Sequence, residues 1–202
     1  MKCSRFPLVR FKKYLSLTSV FVIVLLLCFH LVRGCNSHYV YQMGKGYLKI
    51  VISDKMYNSN LAKLAEFYLK EALRSDPGNA DILYELGKLY YYRAYYSEDV
   101  NTKESRIEAL MNARQQFERA LRMKPTDGYY HIYYALVITN ILENWISSSQ
   151  PQATSVLEQR NCMDLARKHF EAAIALDPNN RYINKQYKIS KARLAGYLNK
   201  SN

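Results

Sequence analysis

One spacing occurs three times in this chain: Ala, a large apolar residue four positions on, Ala three after that, and Pro five further. It is carried by Ala65, Leu69, Ala72 and Pro77, by Ala113, Phe117, Ala120 and Pro125, and by Ala166, Phe170, Ala173 and Pro178. Offsets of four and three place residues on one face of an α-helix. Two Ala on that face let a neighbouring helix come close. The Pro then ends the helix, because it lacks an N–H and disfavours helical geometry in the residue before it. A chain patterned this way folds as helix against helix, unit after unit. Seven Gly, five Pro and few alternating runs argue against an all-β domain, and 49% hydrophobic residues argue against a disordered chain.

The three segments resemble the second helix of the tetratricopeptide repeat, and the resemblance implies what should follow each Pro. After Pro77, ADILYELGKLYYYRAYY holds Leu83, Leu86, Gly87 and Tyr90 at the spacing of that family's first-helix packing residues, with the small residue where two helices cross. After Pro125, Tyr134, Ala135 and Ile138 repeat the pattern, with His131 replacing the first apolar residue. Counting back from Ala65, Ile52, Ser53 and Met56 fit a degenerate first helix, with Lys49 a departure. After Pro178, Tyr187 fits and Lys188 does not, so the segment reads as a terminal solvating helix.

The resemblance covers roughly residues 38 to 198. The prolines are 48 and 53 residues apart, against a family period of about 34. The excess falls between the two helices of a unit, around SEDVNTKES (97–105) and SSSQPQ (147–152), with flanking helices a turn or more longer. The expected architecture is all-α: helix pairs stacked as a short right-handed solenoid, preceded by one apolar helix. Residues 1–35 form a basic and apolar leader, 36–180 three helix pairs, and 181–202 a basic capping helix.

Leu15 to Val32 is a stretch of 18 residues without a charge, about 27 Å long as a helix. That is longer than the apolar region of a cleavable signal peptide, about 7 to 15 residues. Five basic residues precede it, which by the positive-inside rule places residues 36–202 on the exported side. VRGC (32–35) partly resembles a bacterial lipoprotein processing box, with Arg33 a departure. Three outcomes stay open: an uncleaved signal anchor, lipidation of Cys35, or cleavage. The first two both tether the domain to a membrane. Cys35 and Cys162 are too few for a disulfide framework.

The formal net charge of +12 is confined to the ends. Six of the 29 basic residues lie in 1–35 and six in 181–202, leaving 17 in the middle against all 17 acids. A neutral middle argues against nucleic acid, since single-strand binders pair their aromatic platforms with a basic groove. The basic terminal helix could meet an acidic partner or lipid headgroups. No HExxH, GxSxG, CxxC or phosphate-loop motif occurs, and His38, His131 and His169 are scattered, so the reading contains no catalytic group, metal or cofactor.

The resemblance further implies a concave groove lined by first helices. Carried over by register, it presents Asp81, Tyr84, Lys88, Tyr91 and Tyr92 after Pro77, and Tyr129, Ile132, Leu136, Thr139 and Asn140 after Pro125. The first copy offers Tyr47, Ile50, Asp54 and Tyr57, and the terminal helix Tyr182, Lys185 and Ile189. Tyrosine, with a broad apolar face and a hydroxyl, suits a peptide or protein partner. The expected function is a membrane-tethered scaffold holding such a partner, as part of an envelope or transport assembly. The alternative is a small-ligand-binding periplasmic component associated with a transporter.

Overall fold

The computed structural model describes residues 22–25, 36–53, 57–97, 100–146 and 156–198, and among them there is no strand. Helix α1 covers 36–53, α2 Ser59–Ser75, α3 Ala80–Tyr96, α4 Lys103–Met123, α5 Gly128–Ile146, α6 Val156–Leu176 and α7 Arg181–Leu198. Residues 22–25 are helical with exposed side chains, while the rest of the apolar stretch, Cys35, Asp54, Met56 and the SSSQPQ segment lie outside the described residues. Among the described residues no helix is long and apolar enough to cross a membrane.

The recurrent spacing does what its geometry requires. All nine of its Ala, Leu and Phe residues, on α2, α4 and α6, are 1% exposed or less. On α3, Gly87 lies flat against one of them: a Cβ built there would sit 2.7 Å from Cε1 of Phe117. Only a residue without a Cβ lets the α3 backbone rest on that ring. The expectation that the small residue marks a helix crossing therefore holds on α3. α4 and α6 run to 21 residues each against 17 for α2, about one turn more, as the wider spacing implied.

The first unit has a different register from the one expected. The small residue against Leu69 is Gly44, whose Cβ would lie 2.8 Å from the Leu69 side chain and 3.0 Å from its backbone N. Ser53, nine residues later, is exposed. Val40, Met43, Gly44 and Tyr47 repeat the spacing of Leu83, Leu86, Gly87 and Tyr90. The expected register counts back at a fixed helix-to-helix distance, and this unit too is longer than that distance.

The turns after α2, α4 and α6 share one side-chain clamp. Asn79 Oδ1 accepts from the N–H groups of Asp81 and Ile82 while its Nδ2 donates to Asp76, 2.8 Å. Asn180 repeats this with Tyr182, Ile183 and Asp177. In the middle turn the partners are exchanged: Asp127 accepts from Tyr129 N–H and pairs with Lys124 at 3.1 Å. Each clamp caps the next helix and ties the turn across the Pro that stopped the last one.

α3 is buried on two sides and joins two cores. Ile82, Leu86 and Leu89 pack with Leu48 and Val51 of α1 and with the α2 face. Leu83, Tyr90 and Ala94 face a larger core built from α4 to α7. Packing is most extensive within α3/α4 and α5/α6, then between α4 and α5. α3 also touches α5, and α5 touches α7, whereas among the described residues the backbones of α2, α4 and α6 do not approach one another closely. The odd-numbered helices thus form one continuous layer, and the even-numbered helices stand apart on the other side.

Candidate partner-binding face

Tyrosines accumulate on the odd-numbered layer, with Tyr133 of α5 at the centre. Its ring lies 5.6 Å from Tyr84 and 5.9 Å from Tyr91 of α3, 5.8 Å from Phe117 of α4, and 6.2 Å from Tyr182 of α7. The hydroxyls of Tyr133 and Tyr182 face each other. Around it, Tyr84 stacks on Tyr130 at 4.6 Å and Tyr92 on Tyr96 at 5.9 Å. Offset and edge-to-face geometries dominate, as the ring quadrupole favours. Burial pushes the hydroxyls of Tyr84, Tyr91 and Tyr133 well above the usual phenol range, so they stay neutral donors and acceptors at physiological pH.

Beside this aromatic seam an open pocket of about 350 Å³ joins three odd-numbered helices: Tyr41 and Lys45 of α1, Asp81, Tyr84 and Glu85 of α3, and Asp127, Tyr129 and Tyr130 at the start of α5. Its charges are mixed and positioned. Lys45 lies over the Tyr41 ring at 5.7 Å, and Lys88 over the Tyr84 ring at 5.2 Å, the same residue pair in the same register on two helices. Lys88 also bonds the buried carboxylate of Glu85 at 2.8 Å. Asp81 accepts from the Tyr130 hydroxyl and pairs with Lys124 at 3.4 Å. Tyr129 is 43% exposed and stacks on Tyr182, while its hydroxyl accepts from Asn180.

The residues expected to line the groove are placed as follows. Asp81, Tyr84 and Tyr129 line the pocket, Lys88 sits over Tyr84, and Tyr91 and Tyr92 continue the ring cluster along α3. Ile132 and Asn140 are corrections: Ile132 is fully buried, and Asn140 is 3% exposed and donates to the Tyr91 hydroxyl at 3.3 Å. Leu136 and Thr139 are buried with them. The reason is that α5 is packed by α3, α4, α6 and α7, so it is open only at its two ends, with Tyr129 in the first turn and Ile146 at the last. In the first unit, Tyr41 and Lys45 take the places expected of Ile50 and Asp54. Tyr47 instead stacks on Tyr68 of α2 at 5.6 Å.

Two groups that look scattered in sequence meet between α5 and α6. His131 Nδ1 and His169 Nδ1 are 2.8 Å apart, and His131 Nε2 lies 2.8 Å from the Pro125 carbonyl. A carbonyl only accepts, so His131 carries its hydrogen on Nε2. In the neutral pair His169 is then the Nδ1 donor. Burial, then the neighbouring His131 and Lys168, lowers the His169 pKa to about 4. Among the described residues no group of three His, Cys, Asp or Glu could hold a metal ion. Cys162 is a free, half-buried thiol whose pKa burial raises, which disfavours the thiolate.

A scan against models of known protein families finds no match to this chain, and neither does a comparison with curated protein sequences.

Proposed function

We propose that this protein is a membrane-tethered, tetratricopeptide-like scaffold that holds a protein or peptide partner against its odd-numbered helices, on the exported side, within an envelope or transport assembly. The observation carrying this reading is the pocket at Tyr41, Lys45, Asp81, Tyr84 and Tyr129, where partly exposed rings stand among mixed charges on three successive first helices. Such a face offers apolar contact, neutral hydroxyls and both signs of charge along an extended path, which suits a polypeptide rather than a single small anion. The tether rests on the uncharged stretch at 15–32 and its basic flank.

The test is co-purification with the full chain, comparing the unaltered protein with Tyr129→Ala combined with Lys45→Glu. Loss of a specific partner supports the reading, and an unchanged partner set removes this face from it. Intact mass of the membrane-fraction protein separates a signal anchor from lipidation at Cys35.

A small-ligand reading has one observation in its favour. The pocket volume of about 350 Å³ falls within the range of small-molecule sites. It predicts a thermal shift with a metabolite, abolished by Tyr129→Ala.

A further inference from the structure

A second groove lies between α6 and α7, away from the tyrosine pocket, with a volume of about 450 Å³. Its floor is apolar, from Met163 and Phe170 on α6 and Tyr187 and Leu194 on α7, and Arg160 and Lys191 stand on its rims. The remaining charged pair, Arg167 with Asp164 at 2.8 Å, neutralises itself.

The walls are two helical stripes. The α6 lining runs from Arg160 to Phe170 and the α7 lining from Tyr187 to Ala195, spans of about 15 Å and 12 Å at helical rise. The groove is therefore the length of two to three helical turns, roughly. Its position explains why it is open. α3 is covered by α4 and α5 by α6, whereas among the described residues α7 packs only on α5 and α6. A helix laid along the groove would give α7 the partner that the other odd-numbered helices have.

Charge selects the occupant. α7 carries five basic side chains and no acid. The leader at 1–35 carries six basic side chains and no acid, so it is repelled, and a second copy would set the same cations against each other. We propose that the α6/α7 groove receives an acidic amphipathic helix of a partner protein, its apolar face on Met163, Tyr187 and Leu194 and its carboxylates on Arg160 and Lys191. This is recognition of a helix in a groove, with spaced apolar anchors and complementary rims. It does not depend on the tyrosine face.

The test uses the full chain in phosphatidylcholine nanodiscs and a fluorescein-labelled peptide of about 14 residues, with Leu at helical spacing and Glu on both flanks. A scrambled peptide of the same composition is the control, and thermal unfolding checks that each variant is folded. The amphipathic peptide is expected to bind saturably, at least tenfold more tightly than the scrambled one. Arg160→Glu with Lys191→Glu, or Leu194→Asp alone, should each weaken it tenfold or more. Equal binding of the two peptides, or binding unmoved by these variants, overturns the proposal. So does a result in which the chain ignores the peptide but binds phosphatidylglycerol vesicles through Arg160 and Lys191, which would make the groove a lipid site.

Discussion

Gly87 and Phe117 are in direct contact: the α3 backbone lies on the Phe117 ring with no room for a methyl group, since a Cβ at Gly87 would come within 2.7 Å of it. Both residues sit in the most extensively packed pair of helices. Gly87→Ala should therefore destabilise the fold by about 1–2 kcal/mol, overpacking outweighing the helix propensity that Ala gains. Gly46, on α1, has nothing within 4 Å of a built Cβ, so Gly46→Ala should stabilise by about 0.5–1 kcal/mol. Urea unfolding of the two variants should give opposite signs.

The His131–His169 pair predicts acid sensitivity. Burial holds the folded-state pKa of His169 at about 4, below its ordinary value of 6.5. Between those values the unfolded chain binds more protons than the folded one, so this contribution is complete above pH 6.5 and declines as pH falls toward 4. After discounting for its partial exposure, the contribution is about 1–2 kcal/mol. Melting temperature from about pH 7 to about pH 4 should fall more steeply for the unaltered chain than for His169→Gln.

The exchanged clamp in the middle turn can be converted into the form of the other two. Lys124→Asp alone sets a carboxylate beside Asp127 and loses the Asp81 contact. It should cost about 1 kcal/mol, and adding Asp127→Asn should restore part of that by recreating the Asp–Asn pair. Asn79→Ala and Asn180→Ala should each cost about 1 kcal/mol. Chemical denaturation of the single and double variants checks the recovery.

Tyr133 and Tyr182 share a hydroxyl contact and a ring contact. Tyr133→Phe and Tyr182→Phe each remove the hydroxyl contact while keeping the rings. Each should cost about 1 kcal/mol, and the double variant should cost less than their sum. Additive losses in a double-mutant cycle would mean that the hydroxyls act separately.

The helix pairs are legible in the sequence because burying one face against a neighbour demands a fixed period, and Ala65 through Ala173 keep it without exception. Connection lengths obey no such period, which is why counting back places the first unit nine residues late and passes over Tyr41 and Lys45. The signal is present in Val40, Met43, Gly44 and Tyr47, which repeat the α3 spacing. Register alone puts Ile132 and Asn140 on an open face. The run from Ile132 to Leu142 is buried throughout, and a helix apolar nearly all round is one surrounded by protein. The clamps in the turns recur as Asp76–Asn79 and Asp177–Asn180 in the outer two but as Lys124–Asp127 in the middle one, so a search by residue type finds only two of the three.

The separation of α2, α4 and α6 gives the molecule a stiff side and a compliant side. Bending that spreads these helices disturbs little packing among them, because among the described residues their backbones do not approach one another closely. The strain of such bending falls on the opposite layer, where Tyr133 touches rings on both flanking helices. A partner wedged at Tyr41, Tyr84 and Tyr129 would be felt as a change of curvature along the whole domain.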